Sequence, residues 1–315
     1  MKLVELLAPA KDYAAAAAAV DYGADAVYIG GARFGARQAA GNSAEEIARV
    51  VEYAHRFGVR VHATLNTLVW DDELEAAERQ ARSLIDAGVD ALIVQDAAFL
   101  RMDLPPIELH ASTQMFNMDP ARARFWYEAG FTRLIVERAA SLDEMRRIAG
   151  AAPGLEIEAF VHGAICVCYS GRCFMSRSMG PRSGNRGDCS QACRLPYELL
   201  DGRMRSQGRA RHWLSVRDLN LSDRLEEMID AGVGSFKIEG RLKDMAYVRN
   251  VVGWYRSRLD EIFFRRPDLK RASQGSVALD FEPDPAKSFS RGSTHYFLDG
   301  PAAGVASLDT PKSLG

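Results

Sequence analysis

The sequence repeats one phrase four times: YGADAVYIG at 22–30, AGVDALIVQD at 87–96, AGFTRLIVE at 129–137 and AGVGSFKIEG at 231–240. Each phrase contains the end of a helix, a glycine that can adopt the left-handed conformation, a short turn and an apolar run typical of a buried strand. Parallel strands need a crossover connection, usually a helix, between them. The repeated phrase therefore predicts a parallel α/β fold.

Outside these phrases the same alternation continues, and it predicts eight strands connected largely by helices. Eight such units predict a (β/α)8 barrel of the TIM type over residues 1–265. A doubly wound open sheet is the alternative, but no Gly-x-Gly-x-x-Gly opens the first helix. The strands are predicted at 4–8, 26–29, 59–65, 91–95, 107–111, 133–136, 157–161 and 235–238, and the helices at 12–22, 44–57, 72–87, 120–129, 141–149, 222–231 and 243–264.

The alternation is interrupted at two places. A segment rich in cysteine and arginine, 163–211, lies between the seventh and eighth strands. In a barrel this insertion would emerge at the carboxyl ends of the strands, where active sites form. Residues 266–315 contain five prolines, and we expect them to form an extension packed on the barrel or the start of a truncated second domain.

Composition indicates an ordinary globular protein, with 47% hydrophobic and 26% charged residues. No apolar run approaches the roughly 18 residues that span a bilayer, and the first residues lack the features of a signal peptide. We therefore expect a cytoplasmic protein with no membrane partner. In that reducing compartment, clustered cysteines are typical of metal or redox sites rather than disulfides.

All five cysteines lie within the insertion. Four of them follow the spacing Cys166-x6-Cys173-x15-Cys189-x3-Cys193, which leaves Cys168 over. Four thiolates can hold an iron–sulfur cluster or a zinc ion. The glycines between them and the absence of Cys-x2-Cys knuckles favour the cluster, while zinc and unligated thiols remain alternatives.

Arginine is concentrated in the same insertion. Between positions 172 and 211 there are nine arginines and three acids, although the whole chain has a net charge of −2. Such a basic segment suggests an anionic partner such as RNA, and a solvated loop is the alternative. The candidate RNA-binding residues are Arg172, Arg177, Arg182, Arg186 and Arg194.

Polar residues follow at least six of the predicted strands, and in a barrel they would converge on one pocket. Any one of them, for example His110 or Asn66, could instead be a core or capping residue whose hydrogen bonds are made within the protein. Together they predict a site for a small polar molecule. The residues at the strand ends are Asn66, Gln95, Asp96, Ser112, Gln114, Glu137, His162, Glu239 and Arg241, and the candidate substrate-binding residues are Asn66, His110, Gln114, Glu137, Lys237 and Arg241.

Two groups of these residues could bind a co-substrate or transfer protons. Lys237, Glu239 and Arg241 alternate along the eighth strand, so they should share a face, and Arg241 could hold a carboxylate or phosphate of an acidic co-substrate. His162 has the same parity as Glu158 on the seventh strand and could act as a general acid or base, with Glu158 orienting it. Glu239 is the second candidate for proton transfer. A buried ion pair across adjacent strands is the alternative.

The stretch from Glu158 to Ser176 resembles the signature of the collagenase-like peptidase family, peptidase family U thirty-two. That signature reads Glu-x-Phe-x-x-Gly-Ala-hydrophobic-Cys followed by Gly-x-Cys-x-hydrophobic-Ser. The resemblance also includes ELLAPA, YGADAVYIGG, HASTQ, GDCSQACR and KIEGRLK, so it extends to about residue 265. The matching signature residues are Glu158, Phe160, Gly163, Ala164, Ile165, Cys166, Gly171, Cys173, Met175 and Ser176.

The resemblance implies an activity other than the one in the family's name. Its bacterial members include oxygen-independent hydroxylases of a transfer-RNA uridine or a ribosomal-RNA cytidine, and a pair that acts in ubiquinone synthesis. It implies a [4Fe–4S] cluster on Cys166, Cys173, Cys189 and Cys193, with prephenate as the hydroxyl source in the RNA enzymes. The Cys-x3-Cys pair resembles the RNA-modifying branch, and KSFSRGSTHYFLDG resembles the ribosomal-RNA type, whose chains are longer.

A collagenase-like peptidase is the alternative function, and a zinc-stabilised RNA-binding module is a further one. The sequence contains neither a Gly-x-Ser-x-Gly elbow nor a His-Glu-x-x-His helix. A cysteine that holds a cluster cannot act freely as a nucleophile. A peptidase would therefore depend on Cys168, or on a metal with an open coordination position.

Overall fold

A computed structural model describes residues 1–36, 41–240 and 243–312 of the chain. Its central feature is a ring of eight parallel strands, all within a few residues of the predicted positions. The eight predicted strands are thereby confirmed. They are β1 Lys2–Ala10, β2 Ala26–Gly31, β3 Arg60–Leu65, β4 Ala91–Val94, β5 Glu108–Ala111, β6 Arg133–Ile135, β7 Glu156–Gly163 and β8 Val233–Ile238.

The strands pair in chain order, and β8 pairs with both β7 and β1. At the point of closure, Ser235 lies opposite Glu5 on one side and Glu158 on the other. A sheet whose last strand pairs with its first has no free edge in the ring. The (β/α)8 barrel is therefore confirmed, and the open sheet is excluded.

Helices surround the ring and connect most of its strands. Ser43 and Ser141 each accept a hydrogen bond from the backbone N–H of a glutamate three residues later, and that glutamate accepts one from the serine N–H. Between β4 and β5 the chain instead forms the 3-10 turn Ala97–Leu100. The helices are α1 Tyr13–Asp21, α2 Ala44–His55, α3 Leu74–Asp86, α4 Pro120–Ala129, α5 Leu142–Ala151, α6 Met175–Met179, α7 Leu225–Asp230 and α8 Met245–Arg265.

The two faces of the strands carry different chemistry. Along β8, Phe236 and Ile238 are fully buried against the surrounding helices, whereas Ser235 and Lys237 point into the barrel. This alternation follows from the period of two in a strand, and it recurs in the neighbouring strands. The apolar layer between sheet and helices thus stabilises the fold, and the barrel interior is left for polar groups.

The extension packs against the barrel and against the segment between the insertion and β8, and its Asp309 pairs with Arg209 and Arg211 of the insertion. The short strand Asp218–Asn220 runs antiparallel to β7 and pairs with Ser293–Thr294 of the extension. His212–Val216 pairs with Ala306–Leu308, and Leu269–Arg271 pairs with β1. In the part of the chain that the structure describes, every helix is too short or too polar to cross a lipid bilayer.

Candidate active site

A pocket opens at the carboxyl ends of the barrel strands, as the strand-end residues predicted. Its empty volume is about 520 Å³ when its open mouth is included. Six of the barrel strands or the segments that follow them contribute side chains. The lining residues are Tyr28, Ala36, Thr64, Asn66, Ser112, Thr113, Gln114, Ile135, Arg138, Phe160, Cys166, Lys237 and Glu239.

The floor of this pocket is a network of buried ion pairs. The Arg133 guanidinium lies 2.5 Å from a carboxylate oxygen of Glu5 and 3.0 Å from one of Glu158. The other carboxylate oxygen of Glu158 accepts a hydrogen bond of 2.6 Å from Lys237 Nζ. Ser235 donates a further hydrogen bond of 2.7 Å to Glu5. Sequence reasoning missed Glu5 and Arg133, although their positions on β1 and β6 have inward parity.

Burial and charge together set the protonation of this network. Burial alone would raise the pKa of Glu5, but the Arg133 guanidinium outweighs burial and holds that pKa well below its ordinary value. Burial lowers the pKa of Arg133, and the surrounding carboxylates, Glu5 first, more than reverse this. Glu5 and Arg133 are therefore both charged at neutral pH, and their charges face each other.

His110 lies in this interior layer and is not one of the residues that line the pocket, and its role in substrate binding stays a prediction. Its ring is fully buried and contacts the ring of His62 edge-on, with 4.9 Å between the ring centres. Burial lowers the pKa of both histidines well below the ordinary value. His110 sits one inward position before Ser112, which lines the pocket together with Thr113 and Gln114.

Lys237 and Glu239 both line the pocket, as their alternation along β8 predicted. Lys237 lies 4.5 Å from the centre of the Tyr28 ring while it pairs with Glu158. The alternative of a buried ion pair across adjacent strands therefore applies to Lys237 and Glu158. Arg241, the third predicted residue of this group, lies outside the described residues.

Arg138 is a pocket residue that sequence reasoning missed. Its guanidinium lies over the Phe160 ring at 3.9 Å from the ring centre and donates a hydrogen bond of 2.9 Å to Ser170 Oγ. It also approaches Glu239 to 3.9 Å. Its Nε is buried without a hydrogen-bond partner among the described residues. The signal was its position directly after Glu137, at the end of β6.

His162 is not oriented by Glu158, because a bulge changes the face that it occupies. Between Phe160 and His162 the pairing of β7 with β8 shifts by one residue, which turns His162 out of the barrel interior. There its Nδ1 lies 3.3 Å from the Tyr255 hydroxyl of α8. Burial, followed by the charge of Lys243, lowers the pKa of His162 to about 4. Its catalytic role stays a prediction.

The remaining predicted pocket residues divide into lining and supporting groups. Asn66 and Gln114 line the pocket. Glu137 instead accepts hydrogen bonds of 3.0 and 3.1 Å from the backbone N–H and hydroxyl of Ser170. Burial raises the pKa of Glu137, and these hydrogen bonds and the charge of Arg138 counteract the rise. Glu137 therefore fastens the insertion to the end of β6.

The insertion lies close to the barrel mouth at Gly171. A Cβ atom on this residue would lie 1.8 Å from the Gln114 carbonyl oxygen, and its φ of +72° is in the left-handed region. Only glycine satisfies both conditions. This contact holds the loop that contains Cys173 against the segment after β5, and Cys166 of the same insertion lines the pocket.

The four cysteines predicted as ligands lie in one neighbourhood. Burial raises the pKa of Cys193, the charge of Arg194 opposes the rise, and Cys166, Cys189 and Cys173 add to it. All five cysteines are free thiols, and within the described residues no three His, Cys, Asp or Glu side chains are already arranged to hold a metal ion. The backbone N–H of Gln191 points to Cys189 Sγ at 3.4 Å. Thiols are the ligand type that iron–sulfur clusters and zinc take, and an N–H donor to a ligating sulfur suits either group.

Cys168, the fifth cysteine, contacts the other end of its own loop. Its thiol lies 3.5 Å from the Arg172 carbonyl oxygen. Burial, followed by the influence of Cys173, raises its pKa. The protonated thiol, rather than the nucleophilic thiolate, is therefore the favoured form.

The five arginines predicted to bind RNA have different surroundings. Arg194 donates to the carbonyl oxygens of Ile165 at 2.5 Å and Val216 at 2.6 Å, so it supports the loop from inside. Arg186 pairs with both carboxylate oxygens of Glu73 at 2.7 Å. Arg182 pairs with Asp188 within the insertion. Arg172 and Arg177 present exposed side chains.

The family of the chain follows from its match to known sequences. Residues 11–306 match Peptidase family U32. The chain belongs to this family. Within this U32 chain, the signature residue Glu158 is the carboxylate that binds both Arg133 and Lys237 in the pocket floor. The signature residue Phe160 supplies the ring beneath the Arg138 guanidinium. Gly163 of the signature lies where a Cβ atom would approach the Glu239 carbonyl oxygen to 2.9 Å.

Two curated relatives and one solved structure are similar to this U32 chain. It is 50% identical over 312 residues to the 23S rRNA 5-hydroxycytidine C2501 synthase of Escherichia coli (strain K12), which covers 99% of this chain and 48% of the relative. It is 39% identical over 269 residues to tRNA hydroxylation protein P1 of Bacillus subtilis (strain 168), covering 82% and 64%. The chain thus spans about half the length of the first relative. The U32 peptidase Mk0906 shares the fold, with a TM-score of 0.52 and 14% identity over 76% of this chain and 94% of that chain.

Proposed function

We propose that the chain forms the catalytic barrel of an RNA pyrimidine hydroxylase. The observation that carries this proposal is that Cys166, the first cysteine of the insertion, lines the same pocket as Lys237, Glu239 and Arg138. A redox-capable thiol site and a polar pocket therefore share a wall. The similarity to a 23S rRNA 5-hydroxycytidine synthase supports a ribosomal-RNA cytidine as the substrate, and such an enzyme would act in the cytoplasm.

Cys166, Cys173, Cys189 and Cys193 would hold an iron–sulfur cluster of the [4Fe–4S] type, and zinc is the alternative. When bound, the cluster would supply redox chemistry at the edge of the pocket. Arg194 would support the ligand loop through its hydrogen bonds to Ile165 and Val216. Anaerobically purified protein should contain iron and acid-labile sulfide, whereas zinc at one ion per chain would favour the RNA-binding module.

The pocket suits a small acidic co-substrate, for which we propose prephenate. Arg138 offers a guanidinium whose side chain is only 10% exposed and whose nearest carboxylate, Glu239, is 3.9 Å away. Lys237 adds a second cation across the pocket but already pairs with Glu158 at 2.6 Å. Arg138 would therefore bind a carboxylate, Glu239 would exchange protons with the bound molecule, and the Phe160 ring would fix the guanidinium plane.

Calorimetry with prephenate tests this role of Arg138. The Arg138→Gln variant should bind prephenate at least about ten-fold more weakly than the wild type, since a charged hydrogen bond contributes about 1.5–3 kcal/mol. The matched control is Arg124→Gln, which changes an exposed arginine of α4. Equal affinity of the Arg138 variant and the wild type would remove Arg138 from the co-substrate site.

The target base would enter the pocket from an unpaired RNA segment, because a base in a duplex is not accessible to chemistry on its ring. The exposed Arg172 and Arg177 would contact phosphates. These contacts do not depend on Arg182, Arg186 and Arg194, which already have partners within the protein.

Mass spectrometry of RNA nucleosides from a deletion strain tests the proposed function. We expect the loss of one hydroxylated pyrimidine, its return with the wild-type gene and with Cys168→Ser, and no return with Cys173→Ser. The two serine variants are matched, since both change a partly exposed cysteine of the same loop. An unchanged nucleoside profile would contradict the proposal. Cleavage of a defined peptide that is lost in Cys168→Ser would favour the peptidase instead.

A further inference from the structure

A groove next to the pocket lies between the segment that follows β5 and the insertion, and only its residues Gln114 and Arg172 have a role in the function proposed above. It is lined by Gln114, Met115, Phe116, Gly171, Arg172 and Phe174, and its empty volume including its mouth is about 750 Å³. Gln114 lines both the groove and the pocket. A molecule that extends out of the pocket past Gln114 would therefore enter this groove.

The groove carries two aromatic rings. Phe174 is 68% exposed, an unusual position for a ring of this size. Phe116 is half-buried, and the ring of Tyr169 contacts it at 5.0 Å between centres with an angle of 61°. Its φ of 58° is rare for a residue other than glycine, asparagine or aspartate. Local strain of this kind clusters at sites that bind ligands.

The charge of the groove is positive. The Arg172 guanidinium lies over the Phe116 ring at 4.3 Å from its centre, and that of Arg122 lies at 5.8 Å. Arg122 is fixed by a hydrogen bond of 3.0 Å to the Met115 carbonyl oxygen. Among the described residues that line the groove, none is acidic. The surface thus combines an exposed ring, Phe174, with cations, and it matches an occupant that has a planar face and a negative charge.

We propose that this groove binds the nucleotide next to the modified one, with its base stacked on Phe174 and its phosphate paired with Arg172. This inference rests on the proposed function, because the occupant is part of the RNA whose target base enters the pocket. Aromatic side chains hold unpaired bases by stacking, and this contact tolerates any base. The groove therefore supplies affinity and holds the strand open beside the target, while selection of the target base stays in the pocket.

Fluorescence anisotropy with a labelled single-stranded RNA of about 12 nucleotides tests this site. Stacking of one base contributes about 1–3 kcal/mol, so Phe174→Ala should weaken RNA binding by about five-fold or more. Phe174→Trp keeps a ring and should bind within about two-fold of the wild type. The matched control is Phe264→Ala, which removes a ring that is 92% exposed at the end of α8 and should leave binding unchanged.

A spectroscopic signature separates stacking from a general loss of affinity. The fluorescence of 2-aminopurine in the same RNA should be quenched by the wild type and by Phe174→Trp, but much less by Phe174→Ala at saturation. If Phe174→Ala binds RNA and quenches 2-aminopurine as the wild type does, the groove assignment is overturned. The proposed function still stands in that case, provided that the wild type modifies RNA. No binding of RNA by the wild type, or displacement of RNA by a collagen-like peptide, would overturn both.

Discussion

The barrel interior and the insertion above it both concentrate charge, but they use it differently. In the interior, Arg133 and Lys237 lie within 3.0 Å of the carboxylates of Glu5 and Glu158, and all four side chains are buried. In the insertion, many arginines are exposed, and those that pair often bind carboxylates near the surface. The interior side chains therefore hold one another in position through their ion pairs, and the exposed charges of the insertion remain accessible to a partner from solution.

The pocket lies at the boundary between these two regions. Lys237 comes from the interior network, whereas Cys166 comes from the insertion. Arg138 connects them, because it contacts Phe160 of the barrel and Ser170 of the insertion. A reaction site built this way combines a buried charged floor with a wall that the insertion supplies.

The largest effect should follow from removal of the central cation of the interior. Arg133→Met would leave Glu5 and Glu158 buried with one fewer partner each, and loss of one partner from a buried pair costs about 3–5 kcal/mol. We expect the free energy of unfolding in urea to fall by that amount. The control is Arg124→Met, which removes a cation whose side chain is 69% exposed and should change stability by less than about 0.5 kcal/mol. Similar losses in the two variants would contradict the contrast between interior and surface.

The pH dependence of stability should show the burial of His162. Its pKa is lowered from 6.5 to about 4, so the folded protein holds the neutral ring. The unfolded chain takes up the proton first as the pH falls, and the stabilisation present above pH 6.5 is lost between pH 6.5 and about 4. Unfolding measured across this range should show the wild type losing about 3 kcal/mol relative to His162→Gln. If the wild type and His162→Gln lose stability in parallel across this range, the lowered pKa of His162 is refuted.

A smaller effect should follow from loosening the insertion. Arg186 holds it to the barrel through Glu73 and the Leu68 carbonyl oxygen, so Arg186→Gln should cost about 1 kcal/mol. The loss should be local and appear as faster hydrogen exchange in residues 166–211 with the exchange of β1 unchanged. Arg177→Gln, which changes an exposed arginine of the same insertion, is the control. Faster exchange throughout the barrel would mean that the insertion and the barrel unfold as one unit.

The sequence predicted the barrel because its repeated phrase reports on local structure. A helix end, a glycine and an apolar strand follow one another in each of the four phrases, and the eight strands of the barrel close in chain order. The pocket was predictable for the same reason, since Asn66, Lys237 and Glu239 stand at strand ends. Parity along a regular strand was sufficient for these residues.

Parity failed where the backbone departs from regular pairing. The bulge near Phe160 turns His162 toward α8, and no pattern of residues in the strand indicates this bulge. Partners that are distant in sequence were also out of reach. The pairing of Arg186 with Glu73 joins residues 113 positions apart, so composition alone could not separate this arginine from the exposed Arg177.

That difference between arginines gives the smallest expected effect, in the salt dependence of RNA binding. Each phosphate contact on a single strand adds about 0.7 to the slope of log affinity against log salt concentration. Arg177→Gln and Arg172→Gln should each lower this slope by about that amount, because both side chains are exposed and can reach a phosphate. Arg182→Gln should change the slope less, since this guanidinium pairs with Asp188 at 2.7 Å and also donates to the Cys189 carbonyl oxygen. Titrations at several salt concentrations measure the slopes. If all three variants lower the slope equally, the pairing within the insertion does not withhold Arg182 from RNA, and the whole basic segment binds as one surface.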